Sequence, residues 1–401
     1  MKKLLITTLL IMFIIPCLRA QKKEISQARS YMKSGKNLDK AEQLMVDLLK
    51  DSLNWENPKI HVTLYDAVMK QYEAGNERLY LGQQYDTAKL FNHARRLFEV
   101  SVRFDSIDAR PDRKGRVRPE YRKEHAEELD GLRPNLYLGG RYFIGKSDYA
   151  KAFDFFDTYI DCGYQPLFTG YDYLTKDPRM TEAAYWATYS GYMEQNPRHV
   201  MKHASIALKD EARAQYILQY VAEAHHTEGN DNEYLKTLKE GFCRYPEHAY
   251  FFPRLTDYYI AQGQTDKALD ITRQALSHNP DNQVFLFAES TLLLNMGQNE
   301  ESLNSSNRLI RLNDMLAEPY FNAATAILNQ IPALEKTAKD ARNNRNRIHL
   351  LYEQARPLME RYRQLAPDQT AKWAPALYKI YLNLNMGKQF DEMDKILKKL
   401  K

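Results

Sequence analysis

Gly140, Gly145, Lys146 and Ser147 satisfy G-x-x-x-x-G-K-[ST], the spacing of a phosphate-binding loop. In that chemistry backbone N–H groups wrap the phosphates, the lysine reaches their outer oxygens and the hydroxyl holds Mg²⁺. The cradle works only between a buried strand and a helix. Here Arg141, Tyr142, Phe143 and Ile144 are bulky for a backbone cradle. The short runs LMVD and FDFFD, which could mimic a magnesium-binding strand, sit in helical patterns. Nucleotide binding is therefore not expected, and no cofactor is.

Other chemistry-bearing residues are sparse. His199 and His203 are four apart on one face of a helix, but a zinc site wants a third or fourth ligand and the sequence offers none nearby. A solvated outer face is the expected environment for both, and no metal is expected. His225 and His226 are adjacent, so their side chains diverge by about 100° and cannot chelate together. No serine or cysteine sits in a nucleophile elbow or protease signature. Cys243, in GFCRYP at a helix end, is expected in the core. The chain is thus read as a non-enzyme. Its 28 tyrosines are expected mainly at core positions.

The elements carrying these residues recur. Gly229, Gly263 and Gly297 are spaced 34 residues apart, and Pro246 and Pro280 keep the same interval. Each period holds two amphipathic stretches, as in YFFPRLTDYYIAQG followed by TDKALDITRQALSHNP. With Ala249 as position 1, Phe252, Leu255 and Tyr259 fill positions 4, 7 and 11. Thr256, Ala268 and Ala275 fill the small positions 8, 20 and 27, and Pro280 stands at 32. Residues 215–248 (Leu218, Val221, Ala222, Pro246) and 283–316 (Leu286, Leu293, Gly297, Ser302) keep this frame. Residues 181–214 keep it more weakly, through Ala184, Ala187, Ala204 and Ala207. A stripe at i, i+3, i+4 and i+7 on each helix needs a neighbouring pair to bury it, so the pairs must stack. Small residues let the helices of a pair approach, and glycine near position 15 permits the left-handed turn between them.

This pattern resembles the tetratricopeptide repeat (TPR), over roughly residues 133–401. The resemblance implies an all-α fold, a right-handed superhelix of antiparallel helix pairs. It also implies that first helices line a concave side, with positions 2, 5, 9, 12 and 13 pointing into it. In this frame they include Tyr137 and Arg141, Tyr185, Tyr189 and Tyr192, Gln219, Glu223 and His226, then Asp257, then Phe287. The Lys and Asn residues with which some family members clamp a partner's C-terminal carboxylate are absent at positions 5 and 9. An extended peptide or helix, stacking apolar side chains on the rings, suits this face better. The expected role is a protein-interaction scaffold of the cell envelope. The alternative is a module that holds glycan or peptidoglycan fragments on its aromatic residues.

Residues 1–20 read as a cleaved signal peptide: Lys2 and Lys3, an apolar run LLITTLLIMFII too short for a span of ~30 Å, and Ala20 before Gln21. Pro16 before Cys17 argues against lipidation, since a small residue normally stands there. The mature chain is expected in the periplasm, without a transmembrane span. Removing the leader lowers the formal charge from +5 to +2, which gives no general affinity for nucleic acid. Cys162 and Cys243 fall in separate repeats and are expected as free thiols.

In chain order, residues 21–130 are read as N-terminal helix pairs ending in a break at 105–130, whose segment 110–123 is strongly basic. Together with the Ala20–Gln21 junction this half resembles exported TPR proteins of the Bacteroidetes type, which implies no enzyme activity. Residues 131–180 hold one TPR-like unit and an aromatic linker, 181–316 four in-frame units, and 317–401 the C-terminal units. The basic insertion 331–349 is expected to lengthen both helices of its pair into a protruding hairpin. These two basic segments are the second candidates for binding. The partner's identity and the oligomeric state are not encoded in any motif.

Overall fold

The computed structural model describes residues 21–336 and 341–400. The leader and Cys17 lie outside them. The architecture is an all-α, TPR-like solenoid with no strand among the described residues. Two compact units divide between Asp231 and Asn232.

The first unit begins with helical residues 21–34 (α1) and α2 (Leu38–Leu48). Two long helices follow, α3 (Pro58–Tyr80) and α4 (Thr87–Asp108), then α5 (Arg122–Leu132), α6 (Pro134–Gly145) and α7 (Tyr149–Asp161). A connector containing the single turn α8 (Tyr173–Lys176) leads to α9 (Met180–Met193), α10 (Pro197–Ala207) and α11 (Ala214–Thr227). The second unit holds α12 (Asp231–Arg244), α13 (Phe251–Ala261), α14 (Thr265–His278), α15 (Gln283–Asn295) and α16 (Asn299–Leu312). It ends with α17 (Glu318–Leu328), α18 (Ile331–Glu335), α19 (Ala341–Leu365), α20 (Thr370–Asn383) and α21 (Gly387–Leu400).

The frame works through close contact. Ala184, Ala187, Ala207, Ala268 and Ala275 are completely buried. At Gly191 an added Cβ would meet the Val200 backbone nitrogen at 2.5 Å, so α9 and α10 touch backbone to backbone there. Ser302 is also fully buried, and its hydroxyl donates to the Ser290 carbonyl at 2.7 Å.

The reversal after the first helix has one backbone signature. Gly229, Gly263 and Gly297 have φ of 70°, 67° and 76°. The same left-handed turn occurs without glycine at Ser147 (57°), Gln195 (57°) and Asn385 (53°). The next N–H bonds back five residues: Asn196 to Gly191 at 2.9 Å, Gln264 to Tyr259 at 2.8 Å, Gln298 to Leu293 at 2.9 Å. This is the six-to-one closure that satisfies the carbonyls left over at a helix C-terminus. The 34-residue beat thus extends to Gln195, where the glycine signal is missing.

Two segments differ from the sequence reading. In 105–130, expected as a break, α4 continues to Asp108 and α5 starts at Arg122. The loop between them is tied down: Arg122 pairs with the buried Asp105 at 2.7 Å, Arg116 with Asp112 at 2.7 Å, and Arg110 with Glu56. Much of the basic character of 110–123 is therefore spent internally. In the insertion, α17 is not lengthened. It stops at Leu328, the short α18 follows, and only the second helix of the pair, α19, is long, at 25 residues. Residues 337–340 of that insertion lie outside the described ones.

Candidate functional site

The phosphate-loop match resolves into a packed helix end. Gly140 lies within α6, and an added Cβ would meet the Phe156 ring at 2.6 Å. Its neighbour Gly139 stands equally close to Phe155. The N–H groups of Lys146, Ser147 and Asp148 donate to the carbonyls of Tyr142, Ile144 and Phe143. The donors that would hold a phosphate already close the helix, and Ser147 carries the left-handed turn.

His199 and His203 are not on a solvated face. His203 is buried and its Nε2 lies 2.7 Å from Asp157; the His199 ring stacks on Phe153 at 3.7 Å and its Nδ1 lies 2.9 Å from Glu194. The frame puts both on the side of α10 that packs on α7, which spacing within α10 alone cannot reveal. Asp157, Asp161 and His203 offer ligand atoms within 4.8 Å of one another. The Lys202 ammonium lies between the two carboxylates, 2.5 Å from Asp157 and 3.1 Å from Asp161. A cation is thus built into the cluster, and its geometry serves to tie α7 to α10. Burial would raise the Asp157 carboxyl, but hydrogen bonds from His203 and Lys202 prevail and hold it below the usual range. Cys162 and Cys243 are free thiols; Cys162 is buried, whereas Cys243 is exposed and not in the core.

The first helices of the first unit carry an aromatic seam. Tyr137 on α6 packs edge-on against Phe156 and hydrogen-bonds Glu182; burial, then that acid, raises its hydroxyl pKa. Arg141 lies over the Trp186 ring at 4.1 Å, and Arg213 over Tyr185 at 5.2 Å. Tyr185 and Tyr189 stack at 6.4 Å, and Tyr149 meets Tyr189 edge-on at 6.0 Å. Tyr192 stacks on Tyr220 at 4.3 Å. Burial, then Tyr185, pushes the Tyr220 hydroxyl far above its ordinary value. Trp186 and Tyr220 both occupy position 6, just outside the expected face. Their shared register was the signal that could have found them.

Beside the Tyr192–Tyr220 stack opens a groove of about 600 Å³. Met193, Pro197 and Val200 supply apolar lining, and Glu223, Gln195 and Asn196 supply polar groups. Such a volume lies within the usual range for ligand sites, ~300–1,000 Å³. Of the remaining expected residues, Gln219 is half-buried and His226 exposed on α11. Asp257 and Phe287 belong to the second unit. Asp257 is exposed there. Phe287 lines a separate groove of about 290 Å³ with Val284, Leu309 and Pro319. No helix among the described residues is long and apolar enough to cross a membrane.

No family model matches the chain, and no curated protein does. Among solved structures it is similar to the C-terminal part of a TPR repeat-containing protein from Cytophaga hutchinsonii, with TM-score 0.44, 13% identity, 65% of this chain and 93% of that one covered. It is also similar to a tetratricopeptide repeat protein from Parabacteroides merdae, with TM-score 0.33, 13% identity and coverage of 53% and 88%. A third is YrrB, described as a TPR protein with an unusual peptide-binding site, with TM-score 0.29, 13% identity and coverage of 62% and 94%.

Proposed function

We propose that this TPR-repeat chain is an interaction scaffold that holds a protein partner through the groove between α9, α10 and α11. One observation carries the reading: the stacked Tyr192–Tyr220 pair walls a groove of about 600 Å³ that also offers apolar lining and a carboxylate. An extended peptide or helix can place an apolar side chain against these rings while its backbone meets Gln195, Asn196 and Glu223. Aromatic anchors in such grooves dominate binding energy, at ~2 kcal/mol or more each. We further propose, from the leader sequence alone, that the mature chain works in the periplasm as part of an envelope complex.

The test begins with a crosslinking pulldown from the native envelope, followed by affinity measurement for the partner so identified. Tyr192→Ala should weaken that partner about 30-fold with helicity unchanged, the equivalent of ~2 kcal/mol. Wild-type affinity in this variant would refute the groove. Titration with glycan fragments distinguishes the alternative role, for which Trp186 is a poor platform because Arg141 already covers its ring.

A further inference from the structure

A smaller cavity, of about 220 Å³, lies within the first unit between α2, α3 and α4. Leu49, Leu64 and Val100 are buried and give it an apolar floor, with Val46 half-buried beside them. Its lining also includes three cations, Lys50, Arg96 and Arg103, against one acid, Glu99. The acid is doubly countered, by Arg95 at 2.8 Å and Arg96 at 3.1 Å. Arg96 also reaches Glu42, and Lys50 pairs with Asp47 at 2.7 Å. Arg103 is exposed and forms no ion pair among the described residues. His61 closes one side: its Nε2 donates to the Trp55 carbonyl at 2.8 Å and its ring stacks on Phe104. Burial lowers its pKa, so the ring adds no charge at neutral pH.

We propose that this cavity binds a small monocarboxylate with a short apolar chain, its head on Arg103 and its tail over Leu49, Leu64 and Val100. A single uncommitted guanidinium presents a planar fork of donors, which matches one carboxylate. A phosphate dianion would call for more donors than the site leaves open. An apolar cavity of about 150 Å³ accepts benzene, so 220 Å³ admits a tail of about six carbons. The same chemistry arises in a free short-chain acid and in the C-terminal apolar residue of a peptide. The site is independent of the aromatic groove.

Isothermal titration of the mature chain with sodium acetate, butyrate and hexanoate tests the proposal. Affinity should rise about tenfold or more from acetate to hexanoate, because each buried methylene adds roughly 0.8 kcal/mol at most. Neutral hexanamide should bind about tenfold more weakly than hexanoate, since it lacks the charge-assisted hydrogen bonds. Arg103→Met should cost about tenfold at unchanged helicity for the same reason, and Val46→Phe should abolish binding by filling the cavity. Acetyl-leucine outbinding hexanoate identifies a peptide C-terminus, and the reverse order a free acid; either supports the site. Affinity flat with chain length, or hexanoate binding that survives in both variants, would overturn it.

Discussion

Arg133 stands where α5 meets α6, and its removal should cost more than any exposed arginine in the chain. Its side chain is 7% exposed and pairs at 2.7 Å with Asp177, whose side chain is 8% exposed. The guanidinium lies 3.7 Å from the Tyr159 ring centre and 3.8 Å from that of Tyr173, and donates to the Tyr159 carbonyl at 3.1 Å. It thereby fixes the connector 162–179 against two helices. Breaking a buried pair costs about 3–5 kcal/mol. Asp177 would keep two donors, the Tyr159 hydroxyl at 2.7 Å and the Arg179 N–H at 2.9 Å. Arg133→Met therefore belongs near the lower end, about 3 kcal/mol, since the methionine also retains part of the packing. For a unit of about 200 residues this lowers the melting temperature by about 6–12 °C. Circular dichroism gives the shift, and hydrogen exchange should show 162–179 opening first. Arg133→Met with Asp177→Asn should recover part of the loss, because the stranded charge is gone while the amide oxygen still offers an acceptor to Tyr159 or Arg179. A loss below about 1 kcal/mol, or a double variant no better than the single one, would refute the argument, since the stranded charge is its main term.

Gln195→Gly should stabilise the first unit by about 0.5–1 kcal/mol, because the left-handed turn costs a side-chain-bearing residue roughly 1–2 kcal/mol and glycine's unfolded entropy takes part of that back; a lower urea midpoint would contradict it. Burial is the leading cause that lowers the pKa of His61, His93 and His125, against the opposing pull of the Trp55 carbonyl at His61, Glu42 at His93 and Glu128 at His125. The unfolded chain then takes up protons near pH 6.5 that the folded one refuses, so stability is full above that pH and falls below it. Each histidine contributes up to about 1.4 kcal/mol per pH unit. Urea midpoints flat from pH 7.5 to 5.5 would refute this. Cys243 should alkylate readily in the native protein, whereas Cys162, buried and with its thiol pushed up to about 12, should react only on unfolding; equal native labelling would contradict both placements.

The helix pairs were legible because their cause is local. Ala268 and Ala275 mark close approach, and Gly263 and Gly297 mark a φ that other residues resist. Where the cause is a neighbouring helix, the sequence was silent. His203 is buried because Asp157 lies 46 positions away, and Arg122 does not reach solvent freely because Asp105 holds it across the loop. The tyrosine face was readable as a register but not as a groove. Tyr220 joins Tyr192 only because α9 and α11 lie side by side, and position 6 turns inward enough to reach it. Residues 122–132 were obscured by charge: a helix with four acids, one arginine and one lysine among eleven residues shows little apolar stripe.

The recurrent left-handed turn has a consequence for how such a chain can change length. Gln195 and Gly229 share a backbone sign and stand one full period apart. Excising the segment from one turn to the next joins two equivalent points, so the flanking helices meet the same kind of neighbour as before. Duplication works the same way in reverse. An insertion of arbitrary length enjoys no such equivalence, and it is tolerated where the turn itself is not used. The insertion after α17 obeys that rule: Asn329 and Gln330 stay in the right-handed region and α18 intervenes. Growth by whole periods, and ornament only between them, is thus written into a single torsion angle.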